Sequence, residues 1–268
     1  MRPFAFAAFA LLLLASPPRP AAAQEEPQAN LVLTILGGTV TGHGLWLVPK
    51  QPFTVLNTTT YDTLELSRSI GSSLVLGAAG TYFLSPHMGV HAEMSYVGLP
   101  IDSHCRGLLY NPDSENKNQQ LCDNIDAQAA EGGAIAIFGG VTLRAASRRA
   151  FSPYLQGSLG LVNLAHSTLE MGGAYATGGG TTSIRQVIAD VTPRRTFVMF
   201  GVGIGVTTPL SPGYQLRMEV RDVVTSFERL VGPVNGLGVG PTATRSYHHV
   251  ALTLGLGVVL EKKRGRRY

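Results

Sequence analysis

The stretch Ser72–Gly98, SSLVLGAAGTYFLSPHMGVHAEMSYVG, decides the fold. Its first half sets Leu74, Leu76, Ala78 and Tyr82 against Ser73, Val75, Gly77, Ala79 and Thr81. It turns at Ser85-Pro86-His87, and its second half sets Val90, Ala92, Met94 and Tyr96 against His91, Glu93 and Ser95. Strict alternation is the period of a strand whose two faces meet different surroundings. Ser-Pro-His suits a tight turn between two such strands. The open question is which face looks inward. In a soluble sheet the Leu, Val and Met side would be covered and the other side wet.

The same pattern recurs along the chain. Eight alternating segments run over about residues 30–47, 68–84, 88–98, 133–145, 152–165, 195–208, 213–227 and 245–260, and no window carries a convincing helical period. Phe200, Val202, Ile204 and Val206 oppose Gly201, Gly203 and Gly205; Leu216, Met218 and Val220 oppose Arg217, Glu219 and Arg221; Leu252, Leu254 and Leu256 oppose Thr253, Gly255 and Gly257. One face is apolar over about nine residues per segment, enough for a tilted strand to cross a bilayer. The other is small or charged.

The connections alternate strictly in length. Those around LSPHM, AASRRAFS and PLSPG are short; those over about 48–67, 99–132, 166–194 and 228–244 are long and rich in Asn, Asp, Gly, Thr and Pro. An up-and-down sheet then carries its long loops at one end and its tight turns at the other. Long loops are uncommon in compact soluble domains and ordinary on the outer side of a membrane barrel. The expected fold is all-β, an eight-stranded antiparallel transmembrane up-and-down barrel over residues 30–260. The alternative is a lipocalin-like soluble barrel, but its wet face should carry Lys, Glu and Thr broadly, where this one is dominated by Gly, Ala and Ser. A lumen of eight strands is only wide enough for side chains to fill. Its few charges, Glu93, Arg144, Arg217, Glu219 and Arg221, would therefore gather in a paired interior network. Aromatic girdles are expected from Tyr82, Tyr154 and Tyr214 at the short-turn end and from Trp46, Tyr96, Phe197, Phe227 and Tyr247 at the other. Asp222 has the parity of the lipid face and calls for either an outer-rim position or a bulge.

The ends set the compartment. Arg2, an apolar run from Phe4 to Ala15, prolines 17, 18 and 20, and Ala21–Ala23 read as a secretory signal peptide over 1–23, cleaved near Ala23, with a short periplasmic segment over 24–29. The net charge of +4 is an effect of the ends: two arginines lie in the leader, and the tail 261–268, EKKRGRRY, holds five basic residues against one Glu, leaving the body near −2. No nucleic-acid partner follows from this basicity; the tail reads as a solvated periplasmic terminus, with contact to anionic headgroups or the cell wall as the alternative. In an oxidising compartment Cys105 and Cys122 are expected to form a disulfide, worth about 3 kcal/mol on the chain-entropy model.

The hairpin GTYFLSPHMGVHAEMSY, the strand LRMEVRD and the closing strand HHVALTLGLGVVL resemble the small outer-membrane β-barrel family, the group of the OmpA transmembrane domain, OmpX and OmpW, over about residues 29–260. The resemblance implies insertion in a bacterial outer membrane, termini in the periplasm and long loops outside. It also implies contact with outer-membrane lipid and lipopolysaccharide, and passage through the barrel-assembly machinery by a last-strand signal that Gly255, Val258 and Leu260 match. The family usually ends on Phe, whereas this chain continues to Tyr268. A monomer without cofactor is the expectation.

His166, Ser167 and Glu170 in AHSTLEMGG raise a lipid A deacylase-like hydrolase, but adjacent strand residues face opposite ways, and such enzymes look to need His-x-Ser followed by Asn. GVGIGV, residues 201–206, lacks the strand-to-helix context of a dinucleotide loop and reads as interior glycines. Asn57-Thr58-Thr59 matches a glycosylation sequon that is idle in a bacterium, and His248-His249 does not make a metal site. The leading role is structural or surface interaction, ahead of a narrow channel or small-ligand carrier through the lumen, with the hydrolase third.

Overall fold

The computed structural model describes residues 30–55, 59–111, 116–128, 132–145, 151–177, 180–191 and 193–261. The leader, the segment 24–29, Asn57 and Thr58 of the sequon, and the basic residues 262–268 lie outside the described residues. In chain order the strands are β1 (Asn30–Val40), β2 (His43–Thr54), β3 (Tyr61–Ile70), β4 (Ser73–Phe83), β5 (Met88–Val97) and β6 (Ile101–Leu109). Helix α1 (Lys117–Ala127) follows, then β7 (Ala134–Arg144), β8 (Ser152–Leu164), β9 (Met171–Thr177), β10 (Thr181–Ile188), β11 (Thr196–Ser211), β12 (Tyr214–Leu230) and β13 (Thr242–Glu261).

Eight of these close into an antiparallel barrel whose order around the ring, β1, β4, β5, β7, β8, β11, β12, β13, is also their order in the chain. The seam is β1 against β13, from Asn30 opposite Glu261 to Val40 opposite Ala251. Closure satisfies every strand edge, which an apolar solvent demands. Each alternating segment matches one barrel strand, and the last three strands run longer than their segments, to Ser211, to Leu230 and from Thr242 to Glu261. The first two were read too long: residues 43–47 already belong to β2, and 68–70 to β3.

The tight-turn end is made by local chemistry. Between β4 and β5 the Ser85 hydroxyl accepts the N–H groups of His87 at 3.3 Å and Met88 at 3.0 Å. Between β11 and β12, Gly213 sits at φ 83°, a conformation that a side chain would strain. Both chain ends of the barrel, Asn30 and Glu261, are also here.

At the other end the long connections are not the structureless loops expected from composition. β2, β3 and β6 form a three-stranded antiparallel sheet, β9 and β10 a hairpin, and α1 packs on β6 and β9. Together they make a crown over the barrel mouth. The strand signal was present: Phe53, Val55, Leu64 and Leu66 alternate and are buried, but the Asn, Thr and Asp between them resemble loop composition. The helix gave almost no signal, because only Leu121, Cys122 and Ile125 among its residues are buried and apolar, and no side chain caps its start. Its order comes from tertiary packing, as expected for a segment this short. The disulfide Cys105–Cys122, Cα atoms 4.9 Å apart, ties α1 to β6. With both cysteines replaced by Ser, the crown loses about 3 kcal/mol of cross-link stabilisation. Limited proteolysis of the crown then accelerates, while the barrel keeps its heat-modifiable gel mobility.

The outward face of the barrel is apolar throughout. Ile35 is 75% exposed and Leu74 68%, with Leu159, Ile137, Met94, Phe200, Leu252 and Leu254 all exposed around the ring. A soluble monomer does not present so continuous an apolar surface. The inner face has two storeys. Toward the tight turns it is mostly small or polar, with Val32 and Phe83 among the exceptions. Toward the crown it carries Val75, Val97, Phe138, Val162, Met199 and Phe227, continuous with the crown core of Leu45, Trp46, Leu64, Leu66, Leu121 and Ile125.

This second storey corrects the girdle expectation. Tyr82, Tyr96 and Tyr214 are exposed, whereas Trp46, Tyr154, Phe197, Phe227 and Tyr247 are buried. The indole N–H of Trp46 donates to the Thr168 carbonyl at 3.0 Å, joining β2 to the segment after β8 within the crown, and the Tyr247 hydroxyl on β13 donates to the Leu45 carbonyl at 2.6 Å, tying crown to barrel.

Candidate functional site

Three strands supply most of the lumen's polar layer. Inward parity places Glu93 on β5, Tyr154 and Gln156 on β8, and Arg217, Glu219 and Arg221 on β12. Arg221 grips Glu93 with both arms of its fork, at 3.0 and 2.7 Å, and its Nε donates to Glu219 Oε1 at 2.6 Å. Arg217 pairs with the other oxygen of Glu219, donates to the Tyr154 hydroxyl at 2.7 Å and reaches Gln156 Oε1 at 2.6 Å. The Tyr154 hydroxyl in turn donates to Glu219 Oε2 at 2.6 Å. Two carboxylates meet two guanidiniums, so the buried charge balances, and bidentate pairing is the strong form of the contact.

β5 and β12 stand four places apart in a ring of eight strands, and therefore face each other across the bore. The Glu93–Arg221 pair spans it. The glycines of GVGIGV make the room: a β-carbon at Gly203 would lie 3.0 Å from Glu219 Oε1, and one at Gly201 would lie 2.7 Å from the Ser158 hydroxyl. Of the five charges expected together, four are joined in this chain of bonds. Arg144 is held nearer the tight turns, where its Nε donates to the Pro86 carbonyl at 2.6 Å and its guanidinium lies 3.8 Å from the Phe83 ring centre. Tyr154, expected in the girdle, and Gln156 were not expected in the ionic network. They are uncharged, and only their parity with Ser158 could have pointed inward.

Above the polar layer is a chamber of about 60 Å³, walled by Val75, Val97, Phe138, Val162, Met199 and Phe227, with Glu93 and Arg221 in its floor. Drug-sized ligands occupy sites of about 300 Å³ or more, so the chamber as it stands admits little beyond a few atoms.

No family model matches the chain, and no curated protein matches it. Solved structures do. The outer membrane protein OprG from Pseudomonas aeruginosa is similar at 11% identity and a TM-score of 0.47, over 88% of this chain and 98% of that one. The outer membrane protein AlkL is similar at 13% identity and a TM-score of 0.41, over 93% and 99%. Neisserial surface protein A is similar at 11% identity and a TM-score of 0.40, over 85% and 96%.

The remaining sequence candidates fall in different places. Ser167 is buried, and its hydroxyl donates to Asp190 and accepts the N–H of Leu169 at 3.1 Å. It is thus committed to an acid and to its own turn rather than to His166, and the serine–histidine bond of a nucleophilic site is not formed. Asp222 does face outward, in unbroken register with Val202 and Val250, and its Oδ2 lies 2.8 Å from His248 Nδ1. No bulge shifts it. His249 points inward, its ring 4.3 Å from that of His43. Among the described residues no group of three or more His, Cys, Asp or Glu is placed to hold a metal ion. Gly255 is buried on the inner face of β13, and Val258 and Leu260 are exposed on its outer face.

One buried charge in the crown is not balanced. Arg68 on β3 is 8% exposed. Its Nη2 donates to the Ser167 carbonyl at 3.2 Å, while Nε and Nη1 have no acceptor. Burial pushes its pKa down to about 10, against the attraction of Glu170, which pulls the other way.

Proposed function

We propose that this chain is a bacterial outer-membrane barrel with a closed lumen, exported by its leader and set in lipid and lipopolysaccharide by its apolar belt. The crown faces the cell exterior and serves as the interaction surface. The protein acts as a monomer, neither enzyme nor pore, and the last-strand residues Gly255, Val258 and Leu260 engage the assembly machinery. The observation that carries the closed lumen is the ionic layer bridging opposite strands, with Glu219 only 2% exposed. An apolar outward belt with tight turns at one end and a folded crown at the other supports the membrane placement and its polarity.

The test of the lumen is electrical. Protein folded in detergent and added to a planar bilayer is expected to give no stepwise current, and discrete conductance steps would overturn the reading. The placement is tested by partition with outer membranes and by protease cleavage of the crown on intact cells. The apolar chamber favours a second reading, a small-ligand carrier. It requires the chamber to expand severalfold, and saturable quenching of crown fluorescence from Trp46 by an apolar solute would support it.

A further inference from the structure

We infer that the crown contains a binding site for an oxyanion, a carboxylate, sulfate or phosphate group, built around Arg68. The site is a cavity of about 400 Å³ between β3, β6 and the segment after β8, walled by Arg68, Ser103, Gln128, His166, Glu170 and Met171. Its size falls in the range of small-molecule sites.

Arg68 carries an uncompensated charge. A guanidinium taken out of water costs several kcal/mol unless an opposite charge and hydrogen bonds replace its hydration. In the lumen, Arg217 and Arg221 have carboxylates against them. Arg68 has a single backbone carbonyl, and its Nε and Nη1 are buried nitrogens without acceptors. Glu170 attracts it at a distance, but the Glu170 Oε1 accepts from Gln186 at 3.2 Å. The fork geometry of Arg is matched by the paired oxygens of carboxylates, sulfates and phosphates. Its surroundings are held firmly: Gln128 donates to Asn124 Oδ1 and to the Gly172 carbonyl, both at 3.1 Å, and Ser167 closes its own turn. His166, exposed at the rim, adds a ring nitrogen that donates in its neutral or charged form. Glu170 on the wall sets the selectivity: it opposes highly charged anions and tolerates a single oxyanion group.

The inference deepens the surface-interaction reading by naming the chemistry the crown takes, and it rests on that reading only for the side from which the ligand arrives. The full chain folded in micelles is titrated by calorimetry with sulfate, inorganic phosphate and acetate at neutral pH, with chloride at matched ionic strength as the blank. One saturable site is expected, weakened at least about tenfold in Arg68→Gln. Ser103→Glu, at a half-buried wall position, places a carboxylate in the cavity and is expected to abolish binding with Arg68 intact. It carries the test if Arg68→Gln does not fold. Absence of saturable binding of all three anions, or binding undiminished in the folded variants, overturns the site. Competition by bicelles containing phosphatidylglycerol, but not by phosphatidylcholine alone, assigns the group to a lipid headgroup. Lack of competition assigns it to a soluble or polymer-borne anion, and either outcome upholds the site. Protease access on intact cells tests orientation separately, so the site and the reading beneath it fail independently.

Discussion

Glu219→Ala is expected to be the most damaging single change in the barrel. It removes the carboxylate shared by Arg217, Arg221 and the Tyr154 hydroxyl, and leaves two guanidiniums facing Glu93 alone. Removing one partner of a buried ion pair costs about 3–5 kcal/mol, mostly the penalty on the stranded charge. The check is the urea midpoint of detergent-folded protein, followed by the loss of heat-modifiable mobility. Glu219→Ala with Arg217→Met, which deletes both charges of one pair, is expected to be less harmful than the sum of the two single changes. Additive costs would show that the layer is not one network.

The second large effect is on the outer face. Leu254→Arg places a cation at a position opposite Met218 on β12 and Gly37 on β1, within the apolar belt. If lipid covers this face, the cost is about 2–4 kcal/mol near the bilayer midplane. Folding yield into vesicles should collapse while Ile184→Arg, at an 85% exposed site on the crown hairpin, changes stability by less than about 0.5 kcal/mol. Equal tolerance of both substitutions would restore the soluble barrel.

The barrel was legible because lipid and lumen impose a period of two on every strand, and Leu74 to Tyr82 or Val250 to Leu260 obey it without interruption. The crown was not legible for the opposite reason. Its strands pack one face on a small core and leave the other wet, so Asn, Thr and Asp intrude as they do in loops. The helix Lys117–Ala127 buries four residues and hangs on the disulfide, which periodicity cannot register. For the lumen, charge and parity were enough to place Glu93, Glu219 and the two arginines on one side. They could not say which oxygen meets which nitrogen, and Tyr154 and Gln156 carried no charge to draw attention. Arg68 was invisible because its significance is the lack of a balancing charge, a property of three dimensions.

The bridge between β5 and β12 also orders events in time. Glu93 and Arg221 are 128 residues apart in the chain, and their strands face each other only once the sheet has curled through half its circumference. Until then each charge must keep its own water. The inner face therefore stays hydrated while the sheet is open, and it dries only as these side chains meet across the bore.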